Sequence, residues 1–108
     1  DDEEARNRRL AAEQQAEALL RECLTTGEWD QLMQQGYLLV TSPSVADRTY
    51  RIPRVGGRPI MYEGIRPAAQ LCIYPSEWLP QADVILLHLM MLQGDEERYL
   101  ATANKFPV

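Results

Sequence analysis

The run Val84-Ile85-Leu86-Leu87-His88-Leu89-Met90-Met91-Leu92 constrains this 108-residue chain more than any other stretch. Read as a helix it is apolar nearly all the way round, and a helix with no polar face has to be buried on more than one side. The run is far shorter than the ~18–20 apolar residues of a membrane span, and no other stretch reaches that length, so no membrane partner is expected. A central buried element of this kind needs layers to cover it, and the rest of the chain has to provide them.

A second helix is written near the start. From Leu10 onward, Ala12, Ala16, Leu19, Leu20, Cys23 and Leu24 fall on one stripe, with Glu13, Gln14, Glu17 and Arg21 opposite. Residues 1–9 are nearly all charged and are expected to be a flexible lead, leaving 10–108 as a single domain. Thr25 followed by Glu28 has the form of a capping box, which predicts a short helix through Trp29, Leu32 and Met33 that ends at Gly36.

Between the helices the pattern changes to strands. Tyr37 to Val40, Thr49 to Ile52, Pro59 to Glu63 and Ala69 to Tyr74 are the candidates. Turn signals at 43–47, 56–57 and 64–67 separate them. The connections are short enough for an antiparallel meander. The expected fold is α+β: an N-terminal amphipathic helix, a short helix, a small antiparallel sheet of three to four strands, and a long apolar C-terminal helix packed on it. Gly94 weakens that last helix, and Asp95-Glu96-Glu97 can start or continue a further helical segment carrying Tyr99, Leu100 and Ala103 inward.

Charge is segregated along the chain. The net charge is −5, which disfavours binding of the whole protein to nucleic acid or anionic lipid. Residues 1–30 carry nine carboxylates against four Arg, whereas residues 31–80 carry three against five. Arg48, Arg51, Arg54, Arg58 and Arg66, interleaved with Tyr50 and Tyr62, therefore form the candidate contact surface. Guanidinium forks grip phosphates and carboxylates bidentately and aromatic rings stack on bases. The plainer reading is a solvated face whose Arg residues pair with the acidic helices of the same or a neighbouring copy.

The order of several segments resembles a group of small uncharacterised bacterial and phage-encoded proteins. The resemblance is carried by Gly36-Tyr37-Leu38, Arg48-Thr49-Tyr50-Arg51-Ile52, Leu71-Cys72-Ile73-Tyr74-Pro75, Leu79-Pro80-Gln81-Ala82-Asp83 and Asp95-Glu96-Glu97-Arg98-Tyr99-Leu100-Ala101. It covers most of the chain from about residue 16 and implies a compact helix–sheet–helix module. It implies no activity.

Catalytic and metal chemistry find little support. Cys23 and Cys72 form no clustered motif with the single His, so neither a metal nor another cofactor is expected. They read as core thiols, with a single buried disulfide as the other option. His88 reads as a core or interface residue. A thiol–imidazole pair would need a convergence that spacing does not show. Asp95-Glu96-Glu97 reads as an acidic helix start. No enzyme activity is expected.

These readings favour a non-enzymatic interaction or assembly module, cytoplasmic, that self-associates through apolar helices. The interface candidates are Leu19, Leu20, Cys23, Leu86, Leu89, Met90 and Met91. A homo-oligomer is the expected partner state, with a further protein partner through the N-terminal helix. The alternative is a nucleic-acid-associated or regulatory protein using the Arg-rich hairpin. The chain starts at Asp1 without Met, which suggests that an upstream segment has been removed.

Overall fold

A computed structural model describes residues 2–108. Asp1, the first residue of the charged lead, lies outside them. Helix α1 runs over Asp2–Cys23 and α2 over Thr26–Gln35; strands β1 to β4 follow over Tyr37–Thr41, Arg48–Pro53, Ile60–Glu63 and Arg66–Cys72. Helices α3 (Gln81–Gly94) and α4 (Glu96–Thr102) come next, and β5 (Asn104–Phe106) ends the series. The sheet is antiparallel throughout, in the order β1-β2-β3-β4-β5.

The expected three to four strands are therefore five. The tail around Phe106 pairs with β4, Phe106 opposite Gln70 and Asn104 opposite Cys72. Strand β4 also begins earlier than the turn signals suggested, because Glu63 and Arg66 are paired across a two-residue turn at Gly64-Ile65. Pro67 looked like part of the turn since it cannot donate to a ladder. It is accommodated beside the register shift between Met61 and Tyr62, where regular pairing is already interrupted.

The long C-terminal helix is likewise two helices. Asp95 ends α3 and caps α4, its carboxylate accepting from Arg98 N at 3.1 Å. Helix α2 forms as its signals predict. Thr25 Oγ1 accepts from Glu28 N at 3.1 Å, Glu28 Oε1 accepts from Thr25 N at 2.8 Å, and Gly36 closes the helix at φ 82°. Few residues other than glycine reach that left-handed conformation without strain.

All helices lie on one face of the sheet. Leu38, Val40, Tyr50, Ile52, Ala69 and Leu71 point inward to meet Ala16, Leu20 and Leu24 of the first helical stretch, Leu32 of α2, and Ile85, Leu89 and Leu92 of α3. Truncating a residue such as Leu32, fully buried, to Ala costs about 2–5 kcal/mol through lost transfer energy and the cavity left behind. The first stripe is narrower than expected: Ala16, Leu20 and Leu24 take the core positions, while Leu19 is exposed and Cys23 is an exposed free thiol. Cys72 is half-buried and also free, so the two thiols do not pair.

This packing overturns self-association through apolar helices. The apolar surface of α3 is consumed inside the chain, where Ile85, Leu89 and Leu92 are buried with Leu20. Leu86 and Met91 pack against the same core. What remains exposed on the helices is scattered. Met90 is the one large apolar residue of α3 that is exposed, and Leu10 and Leu19 of α1 stand nine residues apart, half a turn out of phase. No helix among the described residues offers an apolar face to a second copy. Nor is any long and apolar enough to cross a membrane.

Candidate functional site

The Arg segment of the sequence does not form one patch. Strand alternation sends its members to opposite faces of the sheet. Arg48 and Tyr50 share the inward parity with Ile52, and Arg48 faces Glu63 directly across β2 and β3. Its Nε and Nη2 donate to Glu63 Oε1, each at 2.8 Å. Arg54 reaches Glu17 of α1 at 3.4 Å. Arg66 is exposed at the start of β4. Two of the five Arg residues thus pair with the chain's own acids, Arg48 with Glu63 of β3 and Arg54 with Glu17 of α1.

Arg48 and Tyr50 instead border a buried polar cluster around Glu96. Its carboxylate, in a residue 7 % exposed, accepts from Tyr50 Oη at 2.5 Å and lies 2.7 Å from Ser42 Oγ through both oxygens. Ser44 Oγ also donates to it, and Arg48 Nη1 stands 3.9 Å away. Ser42 Oγ in turn accepts from Val45 N at 2.9 Å, which binds the β1–β2 loop to the start of α4. Burial pushes the Glu96 carboxyl up, but the hydroxyl donors and the Arg48 charge outweigh it and hold the group below the ordinary carboxylate range. Tyr50 is pushed far above an ordinary phenol by burial and by the adjacent carboxylate. Within the cluster the hydroxyls of Ser42, Ser44 and Tyr50 are all directed at Glu96, while Arg48 divides its charge between Glu96 and Glu63.

The opposite face of the sheet is uncovered. Register places Tyr37, Leu39 and Thr41 of β1 beside Pro53, Arg51 and Thr49 of β2, then Ile60 and Tyr62 of β3, Gln70 of β4 and Phe106 of β5. Arg51 lies over the Tyr37 ring at 4.0 Å, and Arg58, from the β2–β3 loop, over Phe106 at 3.9 Å. A depression of about 290 Å³ between Tyr37, Leu39, Arg51, Tyr62 and Ile65 lies on the β1–β3 side of this surface. Ile65, at the tip of the β3–β4 hairpin, is 99 % exposed. Glu63 is the one acid in the strands, and it has the inward parity; the open face carries no carboxylate from any strand.

Three of the sequence candidates, Arg51, Arg58 and Tyr62, therefore share this face. Arg48, Arg54 and Tyr50 do not. Tyr37, Leu39, Ile65 and Phe106 were missed, although Tyr37 to Val40 carries a signal: a strand apolar at every position has apolar residues on both faces. Among the other interface candidates, Leu20 and Leu89 are buried, Leu86 and Met91 half-buried, and Leu19, Cys23 and Met90 exposed without adjoining the sheet face.

No group of His, Cys, Asp or Glu among the described residues is arranged to hold a metal ion. Comparison with protein-family models, with curated proteins and with solved structures finds no match.

Proposed function

We propose that the protein is a non-enzymatic binding module whose uncovered sheet face receives an acidic, partly apolar segment of a partner protein. The observation that supports this is the composition of that face. Aromatic and aliphatic side chains surround guanidinium groups, and the strands put no carboxylate among them. The molecule as a whole has a net charge of −5, so the cationic side of one face is a local arrangement and not a general property. Aromatic residues and Arg are the residue types most enriched in interface hot spots. Stacking on Tyr37 holds the Arg51 fork in place, so less entropy is lost when it grips a carboxylate.

A partner adding a strand at the β1 edge fits less well. Gln31 Oε1 of α2 accepts from Leu39 N at 3.0 Å and occupies the outward donor at the middle of that edge. The partner segment lies across the face instead.

A random Glu/Tyr copolymer is a suitable probe, titrated at low and high salt against the native chain and Arg51→Glu. The expected result is saturable binding that weakens with salt and falls by about tenfold or more in R51E. Binding that R51E leaves unchanged removes the sheet face from the reading. Oligo-dT binding more tightly than the copolymer assigns the face to nucleic acid and overturns the proposal.

A further inference from the structure

The open sheet face carries two guanidinium groups, and the strand register fixes how far apart they stand. Leu39, Arg51, Ile60, Gln70 and Phe106 are paired in succession, one on each of the five strands, and form a single row across the face. Arg51 leans from β2 toward β1, its guanidinium 4.0 Å from the centre of the Tyr37 ring. Arg58 precedes β3 and leans the other way, its guanidinium 3.9 Å from the centre of the Phe106 ring on β5. Neighbouring strands lie ~4.8 Å apart, so three to four strand spacings, or ~14–19 Å, separate the two charges.

Both groups present the same chemistry outward. A ring covers one flat side of each guanidinium, which leaves the in-plane N–H groups to grip a carboxylate. Neither Arg pairs with an acid among the described residues. The surface between them differs in kind. Ile60 lies at the middle of the row, and the Gln70 amide is tied to the end of the chain, its Nε2 donating to Pro107 O at 3.1 Å. Two cationic forks thus flank an apolar centre.

We infer that this face selects an extended partner segment with two acidic side chains four or six residues apart and an apolar side chain between them on the same side. Alternate side chains of an extended chain share one side, and at ~3.3 Å per residue these separations span ~13 and ~20 Å. They bracket the distance between the guanidiniums, and the side chain two positions after the first acid is carried toward Ile60. Separations of three or five send the two acids to opposite sides. A helix puts i and i+4 only ~6 Å apart and cannot reach both forks from those positions. The inference rests on the acidic-partner reading of the face and adds to it the spacing of the two acids.

The test uses peptides of equal length and composition, each with two Glu in a Ser/Thr background and one Leu two positions after the first Glu. The Glu residues are three, four, five, six or ten apart, and binding is read by fluorescence anisotropy. The expected result is that the better of the spacings four and six binds about tenfold or more tightly than three, five or ten. The second contact becomes intramolecular only where both can be made at once. Arg51→Gln and Arg58→Gln, both at exposed positions, should each erase the preference and leave all the peptides equally weak. The Glu/Tyr copolymer, run beside them, separates the two readings. If R51E weakens copolymer binding but the peptides are indifferent to spacing, or favour three, five or ten, this inference falls and the acidic-partner reading stands. A preference that R58Q leaves intact has the same consequence. Copolymer binding that R51E leaves unchanged takes both away.

Discussion

Tyr50 Oη donates to Glu96 Oε2 at 2.5 Å, joining the middle of β2 to the first residue of α4 across 46 positions of sequence. The bond is buried, so removing the hydroxyl leaves the carboxylate with one donor fewer in a place water reaches poorly. Tyr50→Phe should destabilise the chain by about 1–3 kcal/mol in urea unfolding. Glu96→Gln should cost about as much, since it replaces one acceptor oxygen with a donor facing Ser42, Ser44 and Tyr50. The two changes act on one network, and a double-mutant cycle should show coupling of at least about 0.5 kcal/mol. Strict additivity would refute a shared network.

Acid should loosen the same core in two separable stages. Burial lowers the His88 pKa from 6.5 to about 4. Over that interval the unfolded chain takes up a proton that the folded chain refuses, so stability falls as pH drops and the loss levels off below about 4. A shift of this size corresponds to about 3 kcal/mol. Glu96 acts with the same sign but lower: it is held below its ordinary 4.5, so its contribution is present above 4.5 and disappears as pH falls through the folded value. His88→Gln should remove the upper stage and keep the lower one. A urea midpoint in the native chain that stays flat from neutrality to about pH 5 contradicts the assignment to His88.

The difference between what the residues disclose and what they hide is physical. Thr25, Glu28 and Gly36 could be read directly because a capping box and a left-handed C-terminal residue are local devices whose partners lie within a few positions. The burial of α3 could be read from its composition, because a helix without a polar face has no other stable place. Strand β5 could not, since three residues including Asn104 and Lys105 carry no hydrophobic alternation, and their pairing depends on β4 already being in place. The Glu96 cluster could not either. Ser42 and Glu96 are 54 positions apart, and an acidic helix start gives no hint that its first carboxylate faces inward. The Arg segment was visible, and alternation along β2 already separates Arg48 from Arg51, but the acids that hold Arg48 and Arg54 lie 15 and 37 positions away and leave no local signal.

Glycines at the two ends of α2 should respond oppositely to alanine. Gly36 closes the helix at φ 82°, so Gly36→Ala places a Cβ in the left-handed region and should cost about 1 kcal/mol, although the space around it is open. Gly27 lies within the helix at ordinary dihedrals, and a Cβ there meets nothing within 4 Å. Gly27→Ala should stabilise the chain by about 0.4–1 kcal/mol by reducing the freedom of the unfolded state. Thermal or urea denaturation of the two variants distinguishes them by sign, and destabilisation by both would remove the conformational explanation.

The β1 edge gives the last expectation. Gln31 Oε1 accepts from Leu39 N at 3.0 Å, and the other outward groups of this strand flank that position. Water can replace the side chain at an exposed donor, so Gln31→Ala should change unfolding free energy by less than about 1 kcal/mol. The edge itself changes character. Tyr37 to Val40 is apolar at every position, and once its central donor is free the strand becomes a template for another strand. Q31A should therefore associate with rising concentration under conditions where the native chain does not, and Leu39→Lys in the Q31A background should reverse this by placing a charge on the exposed strand. Sedimentation velocity over a concentration series reads both variants. A Q31A chain that stays as dispersed as the native one shows that the Gln31 hydrogen bond does not guard the edge.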